Sequence, residues 1–209
     1  MPLQLTLDQA VQRARTLMAR GPRTILGIVG PPGAGKSTLS EQLCQAFPNV
    51  AQVVPMDGFH LANVELQRLG RAQRKGAPDT FDSVGYVSLL QRLRQQTDSE
   101  TVYAPEFRRE IEEPIAGAIP IGASATLLIA EGNYLLLEQY GWGAVAQHLD
   151  EVWYVDVAPA LRLDRLVERH MQFGRSRQEA VDWVANTDEP NARLIEATRH
   201  RAQVIVTLD

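Results

Sequence analysis

The chain has 209 residues, 44% of them hydrophobic and 22% charged, with a formal net charge of −4. That length fits one domain with a sizeable core, spanning 1–209, and the acidic balance argues against nucleic acid as the main partner. The single cysteine, Cys44, excludes an internal disulfide. No apolar run reaches the ~18 residues of a membrane span, and the N-terminus lacks the apolar stretch of a signal peptide, so the cytoplasm is the expected compartment.

Thr6-x-x-Gln9 is a capping-box pattern, and Leu7, Ala10, Val11, Ala14, Leu17 and Met18 follow at helical spacing. This predicts an N-terminal helix within residues 1–21, stopped by Gly21-Pro22. Thr24 to Val29 is apolar and partly β-branched and reads as a buried strand. Gly30 to Ser37 then reads GPPGAGKS, the pattern G-x-x-x-x-G-K-[ST] of a phosphate-binding loop, and residues to Phe47 have helical character.

The motif therefore sits between a strand and a helix, as its mechanism requires. Its glycines let successive backbone N–H groups turn inward, and the helix N-terminus adds positive potential. Gly30, Pro31, Pro32, Gly33, Ala34, Gly35, Lys36, Ser37 and Thr38 are the expected cradle for the phosphates of ATP. Lys36 is expected to reach the terminal phosphates and Ser37 to bind Mg²⁺.

Val50 to Met56 is a second strand, ending in Asp57-Gly58-Phe59-His60. Leu61 to Leu69 is expected to be helical, and Arg68 to Asp79 a basic loop. Asp82 or Ser83 can cap a helix carrying Val87, Leu90 and Leu93. Thr101 to Ala104 suggests a short strand, and Pro114 to Gly122 a loop or edge segment. Ala125 to Ala130 and Glu151 to Val157 are buried strands. Ala160 to Phe173 is a helix ended by Gly174, Ser176-x-x-Glu179 opens another, and Ala202 to Leu208 is a last strand. Strands alternating with helices predict a doubly wound α/β fold: a five-stranded parallel sheet covered on both faces, with a small helical lid at about 160–186.

A phosphate loop alone does not name a reaction. The chain contains neither an Asn-Lys-x-Asp guanine-reading motif nor a Leu-Ser-Gly-Gly-Gln-like transporter signature, which favours a small-molecule kinase. Ligands of such sheets bind beyond the carboxyl ends of the strands. Asp57 stands at one such end and can accept the proton of an attacking hydroxyl, although an Asp-Gly turn accounts equally well for its position. Glu131 leaves the apolar run Leu127 to Ala130 and can hold Mg²⁺ with Ser37. Arg162, Arg165 and Arg169 share a helical face, with His170, Arg175 and Arg177 beyond them, as suits a lid that closes over ATP. The same charges could instead form a solvated face paired with Asp164 and Glu168. His60 could orient the base or be a buried, backbone-satisfied histidine.

Met56-Asp57-Gly58-Phe59-His60, the segment Arg74 to Asp82, Tyr103 to Arg109 and Glu131-Gly132-Asn133-Tyr134 together resemble the pantothenate kinase, uridine kinase and phosphoribulokinase group. Within it, they are most similar to bacterial proteins labelled nucleoside/nucleotide kinase or fructose transport system kinase. The resemblance runs from about Thr24 to the C-terminus and rests most on the Asp-Gly-Phe-His and Pro-Asp-Thr-Phe-Asp segments. It implies Asp57 as general base and Glu131 on the magnesium side. It sets Phe59, His60, Lys75, Phe81, Tyr103, Arg109 and Tyr134 near the acceptor, and Arg165, Arg169 and Arg175 in the lid, with Arg169 acting in transfer. Position 108 is Arg, where an acidic residue often precedes the arginine in this group, which leaves the acceptor's charge open.

The expected activity is ATP- and Mg²⁺-dependent phosphorylation of a hydroxyl on a small metabolite, by a monomer or homodimer. A nucleoside kinase proper would need a base-stacking pocket from Phe59, Phe81 and Tyr103. A nucleotide-binding regulator would not need Asp57.

Overall fold

The computed structural model describes residues 1–208. Its strands are Leu3–Leu5 (β1), Thr24–Val29 (β2), Ala51–Pro55 (β3), Val102–Arg108 (β4), Glu113–Ile121 (β5), Leu127–Gly132 (β6), Glu151–Asp156 (β7) and Val204–Thr207 (β8). Its α-helices are Leu7–Met18 (α1), Lys36–Ala46 (α2), Asn63–Arg68 (α3), Ser83–Gln95 (α4), Pro159–Gln172 (α5), Arg177–Trp183 (α6) and Glu189–Glu196 (α7).

A six-stranded sheet runs β1-β8-β7-β2-β6-β3, and every neighbouring pair is parallel. The five strands expected from the sequence are present. The sixth, β1, adds at the edge by pairing Leu3 with Val204 and Leu5 with Val206. Three residues are too few to show a period, which is why β1 leaves no sequence signal.

Apolar side chains fill both faces of the sheet. One layer holds Leu26, Ile28, Leu39, Leu43, Trp153 and Val206 under α1 and α2. The other holds Ile25, Val54, Tyr86, Leu90, Leu128 and Trp142 under α4. No described helix is long and apolar enough to cross a membrane.

The helix ends follow the local chemistry. Thr6 and Gln9 form a reciprocal capping box at α1, as Ser176 and Glu179 do at α6. Asp82 caps α4 by accepting from the Gly85 N–H at 2.8 Å.

The larger departure is β4–β5, an antiparallel hairpin where a short strand at Thr101 to Ala104 and a loop or edge segment at Pro114 to Gly122 were expected. Three prolines, Pro105, Pro114 and Pro120, hide it in the sequence, because proline usually argues against a strand. Here the register shifts between Ala104 and Glu106, so Pro105 occupies an irregularity. The hairpin presses on the turn after β3: a methyl at Gly58 would collide with the Pro105 carbonyl.

Candidate active site

The carboxyl ends of β2, β3 and β6 meet at one cavity of about 480 Å³. The phosphate loop leaves β2, and its Gly33 and Gly35 adopt φ of +79° and +94°, a left-handed backbone that favours glycine. Lys36 opens α2 with its ammonium 3.0 Å from the Gly30 carbonyl oxygen and 3.2 Å from that of Pro31. Its side chain keeps some exposed surface, but the ammonium is crowded by protein atoms at the cavity floor. That desolvation outweighs the attraction of Glu131 and Asp57 and pushes its pKa down to about 8. Arriving phosphates would restore the full charge.

Glu131 lies in register with both Ile28 and Pro55. Its carboxylate accepts the Ser37 hydroxyl at 2.8 Å. A hydroxyl oxygen and one carboxylate side by side at a phosphate loop are the hard oxygen donors that Mg²⁺ takes together with phosphate oxygens.

β3 ends at Pro55, and a tight turn over Met56–Phe59 presents Asp57 to the cavity. Arg109, from the hairpin end, approaches Asp57 Oδ2 at 3.7 Å. His60 Nδ1 lies 2.7 Å from the Asp57 carbonyl oxygen. A carbonyl only accepts, so Nδ1 carries the proton. Burial lowers the His60 pKa and keeps the ring neutral. The ring packs between Phe81 and Phe107, at centroid distances of 4.0 and 4.5 Å.

The two most specific sequence segments prove to be partners. His60 bridges Phe81, the Leu61 N–H donates to Thr80 O, and the Asp82 N–H donates to Phe59 O. The loop between them is fixed by Tyr134, whose hydroxyl donates to Gly76 O at 2.5 Å, and by Trp142 Nε1, which donates to Pro78 O at 3.0 Å. Much of its positive charge is already used. Arg71 and Arg74 pair with Asp79, and Arg68 with Glu65. Lys75 donates to Asn63 Oδ1 at 2.7 Å and to the Glu112 carbonyl, so it ties α3 to the hairpin while lining the cavity.

Of the residues expected near the acceptor, Asp57, His60, Lys75, Phe81 and Arg109 line the cavity. Phe59 does not: it packs edge-on against Tyr86 in the core at 5.2 Å. Tyr103 is exposed on the hairpin, and Tyr134 is buried with its hydroxyl turned to the Gly76 carbonyl. Phe59, Phe81 and Tyr103 therefore assemble no base-stacking pocket.

The arginines expected in a lid also separate. Arg162 is buried and paired with Glu189. The Arg165 guanidinium is 3.8 Å from where a Cβ on Gly35 would sit, beside the loop and outside the cavity. Arg169 and Arg175 line the cavity. Burial and neighbouring Arg109 push Arg169 down, while Asp188 and Asp57 attract it. Trp183, Asp188 and Asn191 also line the cavity and carried no motif in the sequence. A π-turn over Val184–Asp188 brings Asp188 inward. Pro190, without an N–H, leaves one carbonyl of the preceding turn without its α-helical partner, which favours such a widened turn.

The model of the phosphoribulokinase / uridine kinase family matches residues 25–208. A protein of Schizosaccharomyces pombe named "putative uridine kinase" is 32% identical over 200 residues, covering 90% of this chain and 85% of its own. The crystal structure of a "putative fructose transport system kinase" from Silicibacter sp. TM1040 is 38% identical with a TM-score of 0.86, covering 96% of this chain and 98% of that one. YFH7 of Saccharomyces cerevisiae, at 20% identity and a TM-score of 0.80 over 97% of this chain and 98% of its own, shares the fold. The match spans the phosphate loop, the turn bearing Asp57, the strand bearing Glu131 and helices α5 to α7: the chain belongs to the phosphoribulokinase / uridine kinase family of P-loop kinases.

Proposed function

We propose that the protein transfers the γ-phosphoryl group of ATP to a hydroxyl of a small anionic metabolite, with Mg²⁺ bound, in the cytoplasm. The observation that carries this reading is one cavity lined both by Lys36 and Ser37 and by Asp57 beside Arg109. Donor phosphates and acceptor hydroxyl can then meet in one space.

Ser37 and Glu131 would hold Mg²⁺, which supplies charge neutralisation at the phosphate oxygens when bound. Lys36 leaves the Gly30 and Pro31 carbonyls for the β- and γ-phosphates. The acceptor oxygen attacks the γ-phosphorus, its proton passes to the Asp57 carboxylate, and the bond to the β-phosphate oxygen breaks to release ADP. Arg169 and Arg175 face the transferring group and offset its charge. Arg109 holds an anionic group of the acceptor so that its hydroxyl points at the phosphate.

The nucleoside-kinase reading is weaker, because the three aromatic residues it needs do not share the cavity. A regulator that only binds nucleotide has no use for Asp57 at the acceptor side. The test is ATP consumption with Mg²⁺ against a panel of hydroxy acids, sugar phosphates, free sugars and nucleosides. We expect background consumption alone and a strong rise with one acidic alcohol. A best acceptor without an anionic group would remove the anionic clause. A flat panel, with ATP consumption at background throughout, would favour the regulator.

A further inference from the structure

One polar cluster beside the cavity has a proton arrangement that the geometry fixes. His170, in the last turn of α5, has Nε2 2.7 Å from Asp188 Oδ2 and Nδ1 2.6 Å from Arg175 Nη1. A guanidinium only donates, so Nδ1 must accept and the single ring proton sits on Nε2, donated to Asp188. Arg175 also stacks on Trp183, its Cζ 4.0 Å from the ring centroid. The His170 and Asp188 side chains keep only 14% and 11% of their surface exposed. His170, Arg175, Trp183 and Asp188 all line the cavity that holds Lys36 and Asp57.

We propose that His170, fixed by Asp188 as the Nε2–H tautomer, is a positioning residue that holds Arg175 toward the cavity for phosphoryl transfer. The proposal rests on the kinase reading above for its catalytic consequence.

Arg175 has a second direction open to it. It lines both the cavity and a neighbouring groove formed with Trp183, Glu179 and Asp182. The hydrogen bond to His170 Nδ1 is what ties the guanidinium to the cavity side, where His170 also lies.

Two measurements test this. Long-range ¹H–¹⁵N NMR of the histidine rings, with His170 assigned from His170→Asn, should show the Nε2–H tautomer at pH 8. An Nδ1–H tautomer overturns the proposal whether or not the enzyme turns over. In kinetics, His170→Ala should lower kcat by roughly ten- to a hundredfold, the worth of a hydrogen bond to a charged group, with the KM for the acceptor little changed. The double variant with Arg175→Ala should lose no more than Arg175→Ala alone. His170→Asn offers Oδ1 in place of Nδ1 and should recover kcat relative to His170→Ala. Multiplicative losses in the double variant, or a kcat in His170→Asn no better than in His170→Ala, overturn the proposal. If no alcohol is phosphorylated, the kinase reading fails by itself, and the tautomer still decides the positioning claim.

Discussion

A methyl group on Gly33 would lie 2.9 Å from Leu166 Cγ and 2.9 Å from the Arg162 carbonyl oxygen. The phosphate loop and α5 are thus in direct contact, and Leu166 is wholly buried there. If α5 moves as part of a lid, this contact holds its first half, up to Leu166, against the loop.

Gly33→Ala should therefore act twice. The added Cβ meets backbone that cannot yield, and φ of +79° is unfavourable for alanine. We expect a loss of roughly 1–3 kcal/mol in urea unfolding, together with weakened ATP binding as α5 is pushed off the loop. A variant with unchanged stability and ATP affinity would show that the contact is easily relaxed.

Lys36 gives a pH signature. With its pKa lowered to about 8 in the folded protein, from an ordinary 10.5, the unfolded chain binds the extra proton across that window. The ligand-free protein should accordingly gain stability from this group as pH rises from about 8 toward 10.5, and bear its cost in full below 8. ATP reverses the preference, because phosphates favour the ammonium. Calorimetry of Mg–ATP binding in buffers of different ionisation enthalpy should show uptake of about half a proton at pH 8, falling toward zero at lower pH. Lys36→Ala should abolish both this uptake and phosphoryl transfer while the protein stays folded. Equal uptake in the variant would assign the proton elsewhere.

Asp57→Asn should lower kcat by about 10²–10⁴-fold, the usual range for a positioned base. In the proposed reaction Asp57 serves the acceptor and not the donor, so ATP affinity measured by calorimetry should barely change. Lost ATP affinity with preserved chemistry would move Asp57 to the nucleotide side.

Much of this was legible in the sequence, for identifiable reasons. Strands β2, β6 and β7 are short apolar runs, and the phosphate loop follows the first of them, so fold class and donor side read directly. The Asp-Gly-Phe-His and Pro-Asp-Thr-Phe-Asp segments stood out, and their strand-like pairing through His60 and Phe81 gives a physical reason for both. What did not read was three-dimensional. Arg71, Arg74 and Arg162 look like free cations in a sequence, yet their carboxylate partners, Asp79 and Glu189, become partners only on folding. Phe59 follows Asp57 closely, but a one-turn helix points it into the core. Asp188 and Trp183 sit in a helical stretch with no motif, and only the π-turn at Val184–Asp188 brings the aspartate toward His170.

The acceptor's charge can be tested at Arg109. Most nearby cations are already occupied by Glu65, Asp79, Glu106 or backbone carbonyls. Arg109 differs: its contact with Asp57 is 3.7 Å, too long for a hydrogen bond, and its other neighbour is the face of Phe173, 5.9 Å from the ring centroid. An entering carboxylate or phosphate could take this guanidinium in two parallel hydrogen bonds and leave Asp57 free for the hydroxyl. Arg109→Ala should raise the acceptor KM by roughly ten- to a hundredfold and leave the ATP KM within about threefold. Lys75→Ala should behave differently, because Lys75 also ties Asn63 to the hairpin; its rise in acceptor KM should come with a lower Tm. Equal Tm losses in both variants, with kcat/KM for the acceptor unchanged in Arg109→Ala, would make the two residues structural and leave the acceptor uncharged.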